Sequence, residues 1–281
     1  MLRAPTPSEP VFLPISLQNA VNMNEIASAG QAAQTSYSLG LVVLSYAIAV
    51  LGSFVALSAA RRIRDGEGID WLNLLAAGTA LGGIGVWSMH FTGMLALKLG
   101  MGSGYSMVET LISLVAAVAA TSGALAFVAR NPKSNARVLF AGSLLGLGVA
   151  FMHYLGMVGM RFPGYIDWSW NVVAVSVVIA MAAASAALWL AFRTRKVALR
   201  AVAAAVMGVA VCAMHYTGMA AANFICTAPG SERFATPRGF GVISSMDLAV
   251  LTPMMAIALG LLIAFDQVLQ KNLSQHAIKK A

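Results

Sequence analysis

Residues Ala201–Met219 read AVAAAVMGVAVCAMHYTGM, an apolar run that ends on Met214-His215-Tyr216-Thr217-Gly218-Met219. Two near-copies of that ending occur upstream, Met89-His90-Phe91-Thr92-Gly93-Met94 and Met152-His153-Tyr154-Leu155-Gly156-Met157, each also closing a long apolar stretch. The histidines are 63 and 62 positions apart, a near-constant period that marks an internal repeat. Three of the chain's four histidines fall in these copies. A polar, ligand-capable side chain inside an apolar helix is a functional-site hypothesis by default.

Working outward, seven stretches carry the roughly 20 apolar residues that a membrane helix needs: Leu39–Ala60, Trp71–Leu97, Met107–Val128, Val138–Met160, Val172–Phe192, Ala201–Phe224 and Asp247–Phe265. The composition agrees, with 59% hydrophobic and 10% charged residues and a mean hydropathy of +0.79, against about a quarter charged in soluble domains. The fold class expected is all-α: a polytopic membrane bundle of seven transmembrane helices, built from three helical hairpins plus one C-terminal helix. Each motif closes the second helix of a hairpin. Residues 37–265 form the membrane domain, 1–36 a flexible leader broken by Pro5, Pro7, Pro10 and Pro14, and 266–281 a short tail.

The net charge of +8 does not point to nucleic acid, because the basic residues fall in short clusters between apolar runs. Arg61, Arg62 and Arg64 follow the first span, Arg130, Lys133 and Arg137 the third, and Arg193, Arg195, Lys196 and Arg200 the fifth. Lys271, Lys279 and Lys280 follow the seventh, whereas the other side holds only Arg3, Lys98, Arg161, Arg233 and Arg238. By the positive-inside rule the amino terminus is outside, the carboxyl terminus is cytoplasmic, and all three motifs face outward from a bacterial inner membrane.

Residues four apart on a helix share a face, so His90 pairs with Met94, His153 with Met157 and His215 with Met219. Three imidazoles and three thioethers directed to one region are a metal-ligand set. Thioether sulfur selects Cu(I), and imidazole also suits zinc, iron or nickel, so mixed ligation favours copper; haem iron held by His or Met is the second reading. The bland alternative is that each histidine hydrogen-bonds a neighbouring helix. Met89, Met152 and Met214 point about 100° away from their histidines and rank second. Gly93, Gly156 and Gly218 let helices approach closely, and Phe91, Tyr154 and Tyr216 sit at interfacial depth. Glu109 and Asp247 read as first-turn acids favoured by the helix dipole, with orientation of a ligating histidine as the alternative; Asp167 lies in an outer loop. Cys212 reads as a core cysteine, a disulfide with Cys226 has no framework pattern behind it, and His276 reads as a solvated tail residue.

The motifs, their spacing and their position at the outer ends of the second, fourth and sixth spans resemble the MHYT family of bacterial integral membrane proteins. Met214-His215-Tyr216-Thr217 matches that name letter for letter, Phe91 replaces the tyrosine in the first copy, and Leu155 replaces the threonine in the second. The resemblance implies copper as cofactor, with His90, Met94, His153, Met157, His215 and Met219 as ligands. It also implies a sensory role for oxygen, carbon monoxide or nitric oxide. Many members carry cyclic-di-GMP enzymes or histidine kinases after the last span, whereas only about sixteen residues follow Phe265 here, too few to fold a catalytic domain.

The leading expectation is therefore a non-enzymatic membrane sensor or signalling protein. It is expected to contact the lipid bilayer, a diatomic gas and a membrane or cytoplasmic signalling partner. Transport of a metal ion or small solute is the alternative from another class, as is a purely structural role beside another membrane protein. Transporters mark their route with ionisable residues or broken helices near the midplane, and no charged residue interrupts the middle of a span here.

Overall fold

The structure, a computed structural model, describes residues 32–65, 68–194, 196–228 and 230–280. The expected leader up to residue 31, Arg195 and the side chains of Lys271, His276, Lys279 and Lys280 lie outside the described residues. Among those described, seven helices are long and apolar enough to cross a membrane. They are α1 (Leu39–Ala60), α2 (Trp71–Ala96), α3 (Met107–Ala129), α4 (Asn135–Val158), α5 (Trp170–Arg193), α6 (Val197–Ala220) and α7 (Ser245–Lys280).

Helices α1 to α6 close into a ring in which each packs on the next and α6 returns to α1, while α7 lies outside against α1 and α2. The ring follows from small residues at the crossings. A side chain at Gly52 would meet the backbone of Gly85, one at Gly82 the backbone of Ala117, and one at Gly146 the backbone of Met181. Without a hydrophobic driving force between helices in lipid, such close backbone approach supplies the packing energy. Helix α2 is the most enclosed, 78% buried over its apolar window against 28–44% for the others, because α1, α3 and α7 all cover it.

The seventh helix does not stop at Phe265 but runs through the expected tail to Lys280. The first six spans begin and end close to the positions read from sequence, with one instructive difference. The apolar run through Phe224 does not continue α6, which stops at Ala220; Ala222–Cys226 instead forms a strand paired antiparallel with Gly164–Trp168. A second ladder joins Gly104–Ser106 to Met160–Arg161 and to Val242–Ser244, and a third joins Ser36–Tyr37 to Leu97–Lys98. These ladders cap the motif end of the bundle. Ala33 N–H donates to Phe224 O at 2.7 Å, so the stretch entering α1 is part of that cap.

Helix α2 also departs from plain α winding. Thr79–Ser88 is π-helical, and Ser88 Oγ donates to Gly83 O at 2.9 Å inside it. Trp71 lies nineteen positions before His90, whereas α4 and α6 start eighteen positions before theirs. The wider π turns, which are rare and concentrate at functional sites, absorb the additional residue so that His90 arrives in register.

Candidate metal centre

The three motif histidines converge. His90 Nδ1 lies 3.1 Å from His215 Nδ1 and 3.1 Å from His153 Nδ1, and the His153–His215 pair closes the triangle at 3.3 Å. The rings stand edge to face, with interplanar angles of 70°, 83° and 87°, and each histidine is 1% exposed. Among the described residues this is a group of ligand side chains able to hold a metal ion, and it contains no carboxylate or thiolate.

Three cyclic contacts set the imidazoles. Gly93 faces the Nε2 edge of His215, Gly156 that of His90 and Gly218 that of His153, and a Cβ at any of the three glycines would collide with the ring. Each motif thus supplies one imidazole and the recess for another. The residue after each histidine holds the ring from its other side, with centroids 4.8 Å apart for His90–Phe91, 4.8 Å for His153–Tyr154 and 4.7 Å for His215–Tyr216.

A layer of serines on the odd-numbered helices anchors those aromatics. Ser176 donates to Val173 O and Ser45 to Val42 O, so their oxygens accept from Tyr154 OH at 2.6 Å and Tyr216 OH at 2.9 Å. Phe91 has no hydroxyl, and the corresponding Ser113, which donates to Thr110 O, accepts instead from Trp87 Nε1 at 3.0 Å. The sequence reading missed Ser45, Ser113, Ser176 and the role of Trp87; a serine recurring in the first half of the first, third and fifth spans was the available signal.

Met94, Met157 and Met219 are buried at 1%, 0% and 2% exposure in one apolar cluster with Met152, Met160, Phe91, Tyr105 and Phe224. They sit about 6 Å beyond the histidines along their helices, at a rise of about 1.5 Å per residue. Met89 belongs to the central apolar cluster and Met214 to a small one with Ala150 and Ala180. Tyr105 is enclosed in the cap, where burial pushes its phenol up and keeps it protonated.

The acids read from sequence remain outside the centre. Glu109 pairs with Arg161 at 2.8 Å and accepts from Ser106, while Asp247 accepts from Ser244 Oγ at 2.7 Å and its N–H donates back to that oxygen, which caps α7. Cys212 and Cys226 are both free thiols.

The donor set fits a metal cation. Each Nδ1 carries either a proton or a lone pair, so three that face one another cannot all be satisfied by hydrogen bonds: one proton serves one neighbour, and the third nitrogen meets a like group. A cation between them accepts all three lone pairs. The centre of the triangle lies about 1.8 Å from each nitrogen, close to the roughly 2.0 Å of a metal–imidazole bond. In that state the protons sit on Nε2, the ring edges that face Gly93, Gly156 and Gly218.

Comparison with known proteins places the sequence among signalling proteins. The MHYT family, described as a bacterial signalling protein N-terminal repeat, matches residues 83–141 and 146–204. The chain is 40% identical over 234 residues to the bifunctional diguanylate cyclase/cyclic di-GMP phosphodiesterase MucR of Pseudomonas aeruginosa, covering 80% of this chain and 33% of that protein. It is 32% identical over 196 residues to the signalling protein YkoW of Bacillus subtilis, covering 67% of this chain and 24% of the relative. With the cyclic di-GMP phosphodiesterase NbdA of Pseudomonas aeruginosa it shares 33% over 196 residues, or 66% and 24% of the two chains. The chain spans about a third or less of the length of these relatives. No solved structure matches it. With two matched repeats, a third motif of the same form at Met214–Met219, and signalling relatives that align across its helices, the chain belongs to the MHYT family.

Proposed function

We propose that this membrane protein is a sensor whose receptor element is a single copper ion held by Nδ1 of His90, His153 and His215. The observation that carries the proposal is the Nδ1 triangle of 3.1, 3.1 and 3.3 Å, which hydrogen bonding alone leaves unsatisfied. Charge favours copper in its monovalent form. Three neutral imidazoles cancel no charge, and a buried cation costs more the higher its uncompensated charge. The buried methionines Met94, Met157 and Met219, about 6 Å further along the helices, give that end of the bundle a soft, apolar lining that suits Cu(I) better than a harder cation.

Within this reading the copper supplies an electron-rich centre for oxygen, carbon monoxide or nitric oxide. The protein's part is to hold the imidazoles at fixed orientation through Gly93, Gly156 and Gly218 and to exclude water with the capping strands. The motifs face outward by the loop charges, so the signal crosses the bilayer along the helices to a partner. The relatives' names include cyclic di-GMP synthesis and hydrolysis, which makes cyclic-di-GMP enzymes the first class of output to test.

Metal analysis of the purified protein after Cu(I) loading tests the centre. One copper per chain is expected, lost in His90→Ala, His153→Ala and His215→Ala alike. Copper at background in the unaltered protein, or three independent losses of one third each, overturns the shared site.

A further inference from the structure

At the end of the bundle away from the histidines, three arginines lie over aromatic rings, and one of them is left short of partners. Arg137 stands 4.6 Å above Phe127 and donates to Phe127 O at 3.1 Å. Arg193 stands 4.9 Å above Trp189 and donates to Asn135 Oδ1 at 2.7 Å. Arg200 lies 5.9 Å from the Phe54 ring centre and is only 7% exposed. Its single described hydrogen bond is from Nη1 to Ser58 Oγ at 3.1 Å, and its Nε is buried with no partner.

The surroundings add positive charge rather than cancel it. Arg61 and Arg62 are near enough to act electrostatically on Arg200. Arg62 is tied to α7 through Gln267 O at 3.0 Å and Gln270 Oε1 at 3.2 Å. Among the described residues the ion pair is Arg161–Glu109, at the opposite end, and none of these three arginines meets a carboxylate. A buried guanidinium without a counter-ion calls for an anion, and its planar fork suits a phosphate.

Phe54 also ends an apolar groove. Val43, Val50 and Phe54 of α1 face Ala201 and Ala204 of α6 across a volume of about 500 Å³. From Val43 to Phe54 the groove runs about 16 Å along α1, close to half of a roughly 30 Å hydrocarbon core. We propose that this groove and Arg200 together form a binding site for one anionic phospholipid, its acyl chain along α1 and α6 and its phosphodiester at the Arg200 guanidinium. Arg61 strengthens the field at the headgroup from its exposed position. The site is independent of any metal at the histidines, since Arg200 lies fifteen residues before His215, about 22 Å along α6.

Native mass spectrometry of the full chain released from nanodiscs of phosphatidylglycerol or phosphatidylcholine tests the site. One phosphatidylglycerol is expected to remain bound, at least tenfold more than phosphatidylcholine. Arg200→Gln is expected to abolish the preference, Arg61→Gln to reduce it two- to threefold, and Val50→Trp to lower retention by blocking the chain. The last two keep the test decisive if Arg200→Gln fails to fold. Millimolar inorganic phosphate is expected not to compete. Equal retention of the two lipids, an unchanged preference in folded Arg200→Gln, an unchanged preference in Arg61→Gln together with unchanged retention in Val50→Trp, or displacement by inorganic phosphate overturns the proposal.

Discussion

The first repeat and the other two reach the same imidazole geometry by different means. In the second and third repeats a tyrosine after the histidine donates to a buried serine, Tyr154 to Ser176 and Tyr216 to Ser45. In the first repeat Phe91 packs edge-on against Tyr105 at 5.7 Å, Trp87 takes over the serine, and the helix behind the histidine winds as π rather than α. The aromatic lock is therefore replaceable, provided the buried serine oxygen still receives a donor. The histidine and the glycine are identical in all three repeats, because each imidazole shares one triangle and each glycine makes room for a ring.

That contrast sets what should break it hardest. Replacing any one histidine by alanine is expected to weaken copper binding by roughly 100-fold or more, beyond the 10–100-fold that supporting residues typically carry. The effect is equal across the repeats despite their different locks, as competition with a Cu(I) chelator would show. A strong effect at His90 alone would mean that the π-helical repeat holds the metal by itself.

Gly93→Ala, Gly156→Ala and Gly218→Ala come next. Each added methyl group meets an imidazole contributed by a different repeat, which costs about 1–3 kcal/mol of overpacking. Thermal unfolding in detergent and Cu(I) affinity are both expected to fall. If only one variant is affected, the cyclic arrangement is wrong.

Exchanging the locks sharpens the comparison further. Tyr154→Phe leaves a buried serine oxygen without its donor and is expected to cost about 1 kcal/mol. Phe91→Tyr buries a hydroxyl whose serine is already occupied, at a cost of about 1–3 kcal/mol. Adding Trp87→Phe to Phe91→Tyr frees Ser113, so a double-mutant cycle should show favourable coupling. Strict additivity would refute the exchange of donors.

The smallest effects belong to the opposite helix ends. Asp70 Oδ1 accepts from Asn73 N–H at 3.0 Å and Ser134 accepts from Arg137 N–H at 3.3 Å, whereas Lys196 gives α6 no side-chain cap. Asp70→Ala is expected to cost about 0.5–2 kcal/mol, and Lys196→Asp to recover a similar amount. The backbone hydrogen bond from Asn73 lowers the Asp70 carboxyl below its usual range. Its contribution is therefore complete above the unfolded pKa of about 3.9 and disappears as pH falls through the lower folded value. A penalty from Asp70→Ala that does not shrink as pH is lowered below about 3.9 would rule out the charged cap.

Much of this was legible because lipid is a demanding solvent. A run such as Ala201–Met219 can satisfy its backbone in hydrocarbon only as a helix, so seven apolar stretches suffice to read seven helices. A period of 62 to 63 residues suffices to read three hairpins. The difference at Phe224 arose because apolarity does not distinguish a helix end from a capping strand, and strand pairing with Gly164–Trp168 is a non-local choice. The π segment was hidden for a related reason: one additional residue before His90 leaves the hydrophobic pattern unchanged.

Residue order therefore carried the helices, the repeat and the six candidate ligands, since each depends on composition or on spacing within one helix. Two things depended on how helices far apart in the chain pack: that the imidazoles meet through Nδ1, and that each glycine serves a different repeat's ring. Spacing of four along a helix places a histidine and a methionine on the same face. The ring closed between α1 and α6 is what turns the three histidine faces inward onto one another.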